Sequence, residues 1–163
     1  MDNIKAIFMD LDGTVLTSGH KVSKNLIKKL RELEGKGVKT FVATGRTFSS
    51  SKPFVEMLGI KNPVINYNGG RVVNPLNSEV IFEKPVEAQD VEELIKVSRE
   101  KGIHLNLYMD DKLYIEHETE EGEKYSESVE IPYYVRNFDE FIGKSSTKAL
   151  FIAENSILLE LKK

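Results

Sequence analysis

Three short apolar runs, separated by stretches of helical periodicity, dominate the first 70 residues of the chain. The runs cover residues 4–9, 38–43 and 63–67. Runs of this length, bounded by glycine and polar residues, are typical of buried strands, and the segments between them are long enough to form crossover helices. Strand, helix, strand, helix and strand in this order predict parallel βαβ units in a doubly wound, Rossmann-like α/β sheet.

Helix signals mark both predicted crossovers. Ser23 is placed to cap the first helix, and Leu26, Leu30 and Leu33 form one buried face of it. The second helix is predicted to end near residue 58. Pro53 leaves the start of this second helix open, because proline fits the first turn of a helix better than its interior.

The pattern changes after the third predicted strand. Two short apolar strands at residues 71–73 and 80–82 flank a turn and predict a β-hairpin, and Pro85 marks a boundary shortly after it. We therefore expect a first unit over residues 1–84 and a second unit over residues 85–163.

The second predicted unit mixes helices with antiparallel strands. Apolar positions from residue 91 to residue 98 predict a helix that ends at Gly102, and two strands around Asp110-Asp111 predict another hairpin. A strand at 148–153 is followed by the first turns of a helix. The acidic run at 116–123 is interpreted as a solvated face, since its spacing matches no metal-binding loop.

Composition excludes several classes of function. The 163 residues include no cysteine, so disulfides, thiolate metal sites and cysteine nucleophiles are excluded together. A formal net charge of -3 gives no general attraction to nucleic acid or to an anionic membrane. No apolar stretch is long enough for a membrane span or a signal peptide, which predicts a cytoplasmic protein.

Each of the three predicted parallel strands ends in a polar segment that contains glycine. These segments are Asp10-Leu11-Asp12-Gly13-Thr14, Thr44-Gly45-Arg46 and Asn68-Gly69-Gly70. Open α/β sheets bind ligands just beyond the carboxyl ends of their strands, so the three segments are expected to meet at one crevice. The first of them brings two carboxylates to that crevice, which is the kind of chemistry that a catalytic site needs.

Each of these segments also has a purely structural interpretation. Asp12-Gly13 is an ordinary turn pair, Thr44 is a candidate helix N-cap, and Asn68-Gly69 is typical of a hairpin turn. Arg46 is equally suited to binding substrate and to pairing with a surface acid. Chance alone does not explain the first segment, because its four fixed positions would occur together in only roughly one such chain per thousand.

The three segments, in this order, resemble the signatures of the haloacid dehalogenase-like (HAD) hydrolases, in particular the Cof-type (subfamily IIB) phosphatases. The resemblance implies a HAD-like core that begins the chain and an inserted α+β cap domain that follows it. It also implies hydrolysis of small phosphorylated metabolites, such as sugar phosphates, through an aspartyl-phosphate intermediate.

The resemblance gives each matching residue a role. Asp10 is implied to be the nucleophile and Asp12 the acid/base, and an extended segment would point both carboxylates at one phosphoryl group. Mg2+ is implied at Asp10 and at the backbone carbonyl of Asp12, where it would offset the concentrated negative charge. Further residues are expected to bind the substrate, namely Leu11 through its amide, Gly13, Thr44, Gly45, Arg46 and Asn68.

The chain departs from the family pattern in its last part. The family places a lysine and a Gly-Asp acidic segment after the cap, and no such acidic segment occurs here. Lys144 and Lys148 lie in the part that resembles the cap, so neither is assigned the lysine's role. The resemblance covers nearly all of this chain but about three-fifths of a family member, so we expect a truncated reading frame or a fragment, weak or inactive alone.

Three other interpretations follow from the same residues. A phosphoacceptor module would be phosphorylated on Asp10 without turning over. A phosphomutase-like HAD enzyme would share the same core. An interaction module would complete its sheet with a strand from a partner or form a homo-oligomer. The three histidines, His20, His104 and His117, share no motif and are assigned no role. The aromatic pairs at 133–134 and at 138 and 141 are interpreted as core or domain contacts.

Overall fold

A computed structural model describes residues 4–17, 19 and 21–162. His20, to which the sequence assigns no role, lies outside the described residues. The chain divides into two compact units, Met1–Glu83 and Lys84–Lys163. Within the described part of the chain, no helix is both long and apolar enough to cross a membrane.

The first unit is built on a parallel strand pair. Strand β1 (Ala6–Met9) pairs in parallel with strand β2 (Lys39–Val42), and helix α1 (Lys24–Gly35) lies between them in the chain. Strand β3 (Val64–Asn66) joins the end of β2 through a parallel bridge between Ala43 and Ile65. The α/β class and the parallel order predicted from the apolar runs are confirmed.

Both crossover helices begin at side-chain caps. The Ser23 hydroxyl accepts a hydrogen bond from the Asn25 N–H and caps α1, and Leu30 is the buried centre of the predicted apolar face. Helix α2 (Phe48–Leu58) begins at Thr47 and contains Pro53 in its interior. An interior proline removes the N–H that would bond one turn back, and its ring crowds the carbonyl there; Pro53 lies on the exposed face of the helix. The unusual position explains why the sequence left the start of this helix open.

The rest of the first unit is an antiparallel hairpin. Strands β4 (Arg71–Val73) and β5 (Val80–Glu83) form the predicted pair, and β4 also pairs with β3. The core of the unit lies between the parallel strands and the two helices. Its buried side chains are Met9, Leu11, Val15, Leu16, Leu30, Val42, Val55, Leu58, Ile60 and Val64.

The second unit is a four-stranded sheet with helices. The strand order is β8, β7, β6 and β9, with β7 and β8 parallel and the other pairs antiparallel. The strands are β6 (His104–Met109), β7 (Lys112–Ile115), β8 (Tyr133–Val135) and β9 (Lys148–Ile152). The helices are α3 (Ala88–Lys101), α4 (Glu120–Val129) and α5 (Asn155–Leu161).

The turns of this unit follow the sequence signals. Helix α3 ends at Gly102, which has a φ of 62° that a glycine adopts without strain. Asp110 and Asp111 have φ values of 50° and 63°, as the tight turn of a two-residue hairpin requires. The predicted helix and hairpin are therefore confirmed.

Helix α4, which has few apolar side chains, and strand β8, which has only three residues, were not predicted. Helix α4 begins inside the acidic run, where carboxylates in the first turn favour the helix dipole. Glu116 departs from the predicted solvated face, because its side chain is only 14% exposed and binds Arg99. Phe138 and Phe141 are buried as predicted, whereas Tyr134 in β8 is 40% exposed.

Arg99 links three segments of the second unit. Its guanidinium donates to both Glu116 carboxylate oxygens at 3.1 and 2.6 Å and to Asp139 at 2.8 Å. The same Glu116 carboxylate accepts the Phe138 N–H at 3.2 Å. The hydrogen bond from Arg99 holds the pKa of Glu116 below its usual range, although partial burial acts in the opposite direction.

Replacement of Leu107 by alanine should destabilise the second unit. Leu107 is fully buried in its core, so the Leu107→Ala variant should lose about 3 kcal/mol of unfolding free energy. The matched control is Leu159→Ala in α5, where the leucine is 55% exposed and the expected loss is below about 0.5 kcal/mol. Urea unfolding followed by circular dichroism measures both, and equal stability of the two variants would contradict the assigned core.

Replacement of Glu116 by glutamine should change the pH dependence of stability. Because folding lowers the pKa of Glu116, its contribution is present above the ordinary value of 4.5 and is lost as the pH falls. Glu116→Gln should therefore cost up to about 1 kcal/mol at pH 7, and the loss should shrink on acidification. Unfolding curves between pH 3 and 7 test this, with Glu100→Gln on exposed α3 as the control.

Candidate active site

The first segment of the site begins where β1 ends. Asp10 is extended, and residues Leu11–Val15 form a single π-helical turn closed by the Leu16 N–H on the Leu11 carbonyl at 2.8 Å. The exposed Gly13 makes this turn at a φ of 72°. The expectation of one extended segment from Asp10 to Asp12 holds only in part: both residues have extended backbone angles, but the strand ends at Met9 and the turn begins at Leu11.

The turn anchors the Asp10 carboxylate. Asp10 Oδ1 accepts the Leu11 N–H at 2.7 Å, and the Leu11 side chain is fully buried beneath it. A buried leucine next to an exposed aspartate fixes the backbone from which the carboxylate projects. The Leu11 amide, predicted to bind substrate, here holds Asp10 in place.

The second segment follows β2. Thr44 is 4% exposed, donates its N–H to the Ile65 carbonyl at 2.9 Å and accepts the Arg46 N–H on Oγ1 at 3.2 Å. The N-cap of α2 is Thr47, whose hydroxyl accepts the Ser50 N–H at 3.1 Å. The alternative interpretation of Thr44 as a helix cap is therefore wrong.

The third segment follows β3 and is both a turn and part of the site. Asn68 has a φ of 54°, connects β3 to β4, and donates its N–H to the Thr44 carbonyl at 3.1 Å. A Cβ atom at Gly45 would lie 2.8 Å from Asn68 Oδ1. The absence of a side chain at Gly45 therefore lets the second and third segments approach each other.

These segments surround an open pocket of about 440 Å³. Four of the predicted site residues line it, namely Asp10, Thr44, Gly45 and Asn68. The other four predicted residues do not line it, namely Leu11, Asp12, Gly13 and Arg46. Residues from all three strand ends thus meet at one pocket, with a single carboxylate, that of Asp10, among the lining side chains.

Asp12 is held beside the pocket by Arg46. Arg46 donates from Nε to Asp12 Oδ2 at 2.9 Å and from a terminal nitrogen to Asp12 Oδ1 at 2.8 Å. The Arg46 side chain is 12% exposed and the Asp12 side chain is 50% exposed. Of the two roles that the sequence leaves open for Arg46, pairing with an acid is the one that the structure shows.

Asn66 is a site residue that sequence reasoning missed. Its side chain is fully buried, and Nδ2 donates to the Arg46 carbonyl at 3.2 Å, to the Thr47 carbonyl at 3.3 Å and to Ser51 Oγ at 2.9 Å. The signal was present in the sequence, since an amide buried in an apolar strand needs internal hydrogen-bond partners. Nδ2 has such partners, whereas the buried Oδ1 has none among the described residues. Asn66 fixes the loop that carries Thr44 and Arg46.

The donor set was tested for a magnesium ion. Within residues 4–17, 19 and 21–162, no three histidine, aspartate or glutamate side chains cluster closely enough to hold a metal. Magnesium usually keeps several waters and needs only one or two carboxylates together with substrate phosphate. The exposed Asp10 carboxylate and the Asp12 backbone carbonyl are hard oxygen donors that fit this mode of binding.

Comparison with known proteins identifies the family. The family model described as haloacid dehalogenase-like hydrolase matches residues 7–163, so the chain belongs to this family. A putative phosphatase from Streptococcus pyogenes serotype M6 is 27% identical over 161 residues, which cover 96% of this chain and 60% of that protein. The predicted family assignment is confirmed.

Solved structures share the fold. TM0651 from Thermotoga maritima aligns with a TM-score of 0.83 at 28% identity, covering 98% of this chain and 60% of that chain. The HAD subclass IIB sugar phosphatase BT4131 aligns with a TM-score of 0.79 at 21% identity, covering 96% of this chain and 62% of that one. The chain therefore spans about three-fifths of the length of these relatives.

Replacement of Asn66 by alanine should loosen the site. Asn66→Ala removes the donor shared by two buried carbonyls and a serine hydroxyl, and we expect a loss of about 1 to 3 kcal/mol of unfolding free energy. Thermal and urea unfolding measure the loss. Asn25→Ala on the exposed start of α1 is the control, and an equally small effect of both substitutions would contradict the bracing role.

Proposed function

We propose that the protein is a magnesium-dependent phosphatase of small phosphorylated metabolites that acts through an aspartyl-phosphate intermediate. The observation that carries the proposal is the single carboxylate of Asp10, exposed in a pocket that it shares with Thr44 and Asn68. Membership of the haloacid dehalogenase-like hydrolase family supports it.

The first half-reaction transfers the phosphoryl group to Asp10. The carboxylate oxygen Oδ2 attacks phosphorus, the bond between phosphorus and the ester oxygen breaks, and the departing alkoxide takes a proton from the Asp12 carboxyl group. Because Oδ1 accepts a hydrogen bond from the Leu11 N–H, the other oxygen of Asp10, Oδ2, acts as the nucleophile. The product is an acyl phosphate on Asp10.

The second half-reaction returns Asp10 to its starting state. Asp12 withdraws a proton from water, the water oxygen attacks phosphorus, and the bond between phosphorus and Asp10 breaks to release inorganic phosphate. Asp12 therefore gives a proton in one step and takes a proton in the next. The position of Asp12 at the edge of the pocket, half-exposed to solvent, suits a group that works on both an alcohol and water.

The remaining pocket residues bind the phosphoryl oxygens. The Thr44 side chain carries a hydroxyl donor and Asn68 carries an amide donor, and Gly45 lets the segments that carry them approach each other. These donors are neutral, so they supply hydrogen bonds rather than charge. The substrate's phosphate is thus bound by groups that extend from three strand ends.

Asp10 and the backbone carbonyl of Asp12 would hold the magnesium ion. When bound, the ion would offset the repulsion between the Asp10 carboxylate and the substrate phosphate. The described residues hold no cluster of three acidic or histidine side chains, so waters and the substrate would complete the coordination.

The size of the pocket supports a small phosphorylated substrate. A pocket of about 440 Å³ accepts a phosphate with a small organic group, and one relative of the same fold is named a sugar phosphatase. We assign residues 1–84 to the HAD-like core and residues 85–163 to the cap domain, to which the family resemblance gives the choice of substrate.

Replacement of Asp10 by asparagine should abolish hydrolysis of an aryl phosphate in the presence of magnesium. The amide cannot act as the nucleophile, so the rate should fall by at least about 100-fold. The control is Asp90→Asn in the exposed first turn of α3, which should keep the wild-type rate. Full activity in Asp10→Asn would contradict the mechanism.

Mass spectrometry of the quenched reaction gives a second readout that does not require turnover. The proposal predicts one phosphoryl group on Asp10 in the wild-type chain and none in the Asp10→Asn variant. A phosphoryl group that persists without release of inorganic phosphate would instead favour the phosphoacceptor alternative.

A further inference from the structure

Arg46 lies beside the pocket but faces Asp12. The guanidinium meets the Asp12 carboxylate with two nearly equal hydrogen bonds, at 2.9 and 2.8 Å, and Arg46 does not belong to the pocket lining. Two parallel bonds fix the plane and the direction of a carboxylate, which a single charge does not. The contact therefore constrains where Asp12 points.

The guanidinium is itself held rigidly. Its central carbon lies 5.2 Å from the centre of the Phe54 ring in α2, and the side chain is 12% exposed. The Arg46 N–H donates to Thr44 Oγ1, and its carbonyl accepts from Asn66 Nδ2 and from the Tyr67 N–H, both at 3.2 Å. The arginine is thus fixed at both its backbone and its side chain.

Asp12 lies on an exposed turn. It lies inside the π-helical turn with extended backbone angles, next to Gly13 with its positive φ, and half of its side chain is exposed. An exposed aspartate on such a turn samples several rotamers unless a partner selects one. Arg46 is a partner of that kind, anchored in a different segment of the unit.

We infer that Arg46 is a positioning residue that orients the Asp12 carboxylate, rather than a ligand for the substrate's phosphate. The inference rests on the proposed acid/base function of Asp12. Arginine keeps its protons throughout, so Asp12 exchanges its proton only with the leaving oxygen or with water. The guanidinium therefore directs Asp12 without entering the proton transfer.

The geometry separates this role from substrate binding. Asp12 takes the edge of the guanidinium formed by Nε and one terminal nitrogen, so a substrate phosphate would have to bind the remaining terminal N–H groups, and loss of the arginine would then weaken phosphate binding. A positioning role instead predicts that phosphate binding is retained while the chemical step slows. The two roles therefore differ in the measured quantity and not only in its size.

The activity arm uses the wild-type chain and the variants Arg46→Gln, Arg46→Lys and Asp12→Asn with an aryl phosphate and magnesium. We expect kcat to fall between about 10- and 100-fold in both arginine variants, with KM changed by less than about 2-fold. Lysine should not restore the rate, because it lacks the two-pronged geometry. In the Asp12→Asn background, Arg46→Gln should cause no further loss of kcat.

A rise in KM as large as the fall in kcat would overturn the inference, and so would full activity of Arg46→Lys. Arg31→Gln, on the exposed face of α1, controls for the loss of a positive charge and should leave both constants unchanged.

Two further arms do not depend on turnover. Calorimetry with inorganic phosphate should give the same affinity for wild type and Arg46→Gln, and a loss of affinity as large as that of Thr44→Val would overturn the inference.

In an NMR spectrum, the Arg46 Nε–H resonance should move in Asp12→Asn and stay in place in Asp90→Asn. An unmoved resonance in Asp12→Asn would show that the pair does not form and would overturn the inference even if hydrolysis is observed.

If the wild-type chain forms no phosphoryl-aspartate and hydrolyses nothing, the proposed function fails. A displaced Arg46 resonance would in that case still establish the orienting contact, so the two failures are distinguishable. Unfolding curves of each arginine variant separate a loss of the fold from a loss of orientation.

Discussion

The site depends on main-chain hydrogen bonds that align the ends of three parallel strands. The Ala43 N–H donates to the Met9 carbonyl at 2.9 Å, and the Thr44 N–H donates to the Ile65 carbonyl at the same distance. Because these bonds join neighbouring strands at their carboxyl ends, a shift of one residue would turn the polar segments away from one another. The pocket exists because the register brings Asp10, Thr44 and the loop after β3 to the same edge.

Much of this arrangement could be predicted from the residues. The apolar runs gave the parallel order, and the glycine-bearing segments identified which strand ends would meet. The turn that follows Asp10 was not predictable in the same way, because a π-helical turn with a buried Leu11 has no periodic signal. The pairing of Arg46 with Asp12 was not predictable from local sequence either, since the two residues are 34 positions apart in the chain.

The second unit shows where pattern-based reasoning is weakest. Helix α4 has few apolar side chains and strand β8 has only three residues. Helix α4 begins at the Thr119 cap, and β8 is held by its pairing with β7. Helix α4 approaches strand β6 closely at Gly122, where a Cβ atom would lie 2.7 Å from the His104 ring. His104, to which the sequence assigned no role, contributes to packing and forms hydrogen bonds with Thr119 and Asn106.

The bonds of Asn66 have a consequence for dynamics. One amide group joins the end of β3 to the Arg46 carbonyl and to the first turn of α2, so none of these three parts opens without breaking the same contacts. Local fluctuations of the loop and of the helix start are thereby coupled into one cooperative opening event. The amide protons of this region are therefore expected to exchange with solvent as a single group.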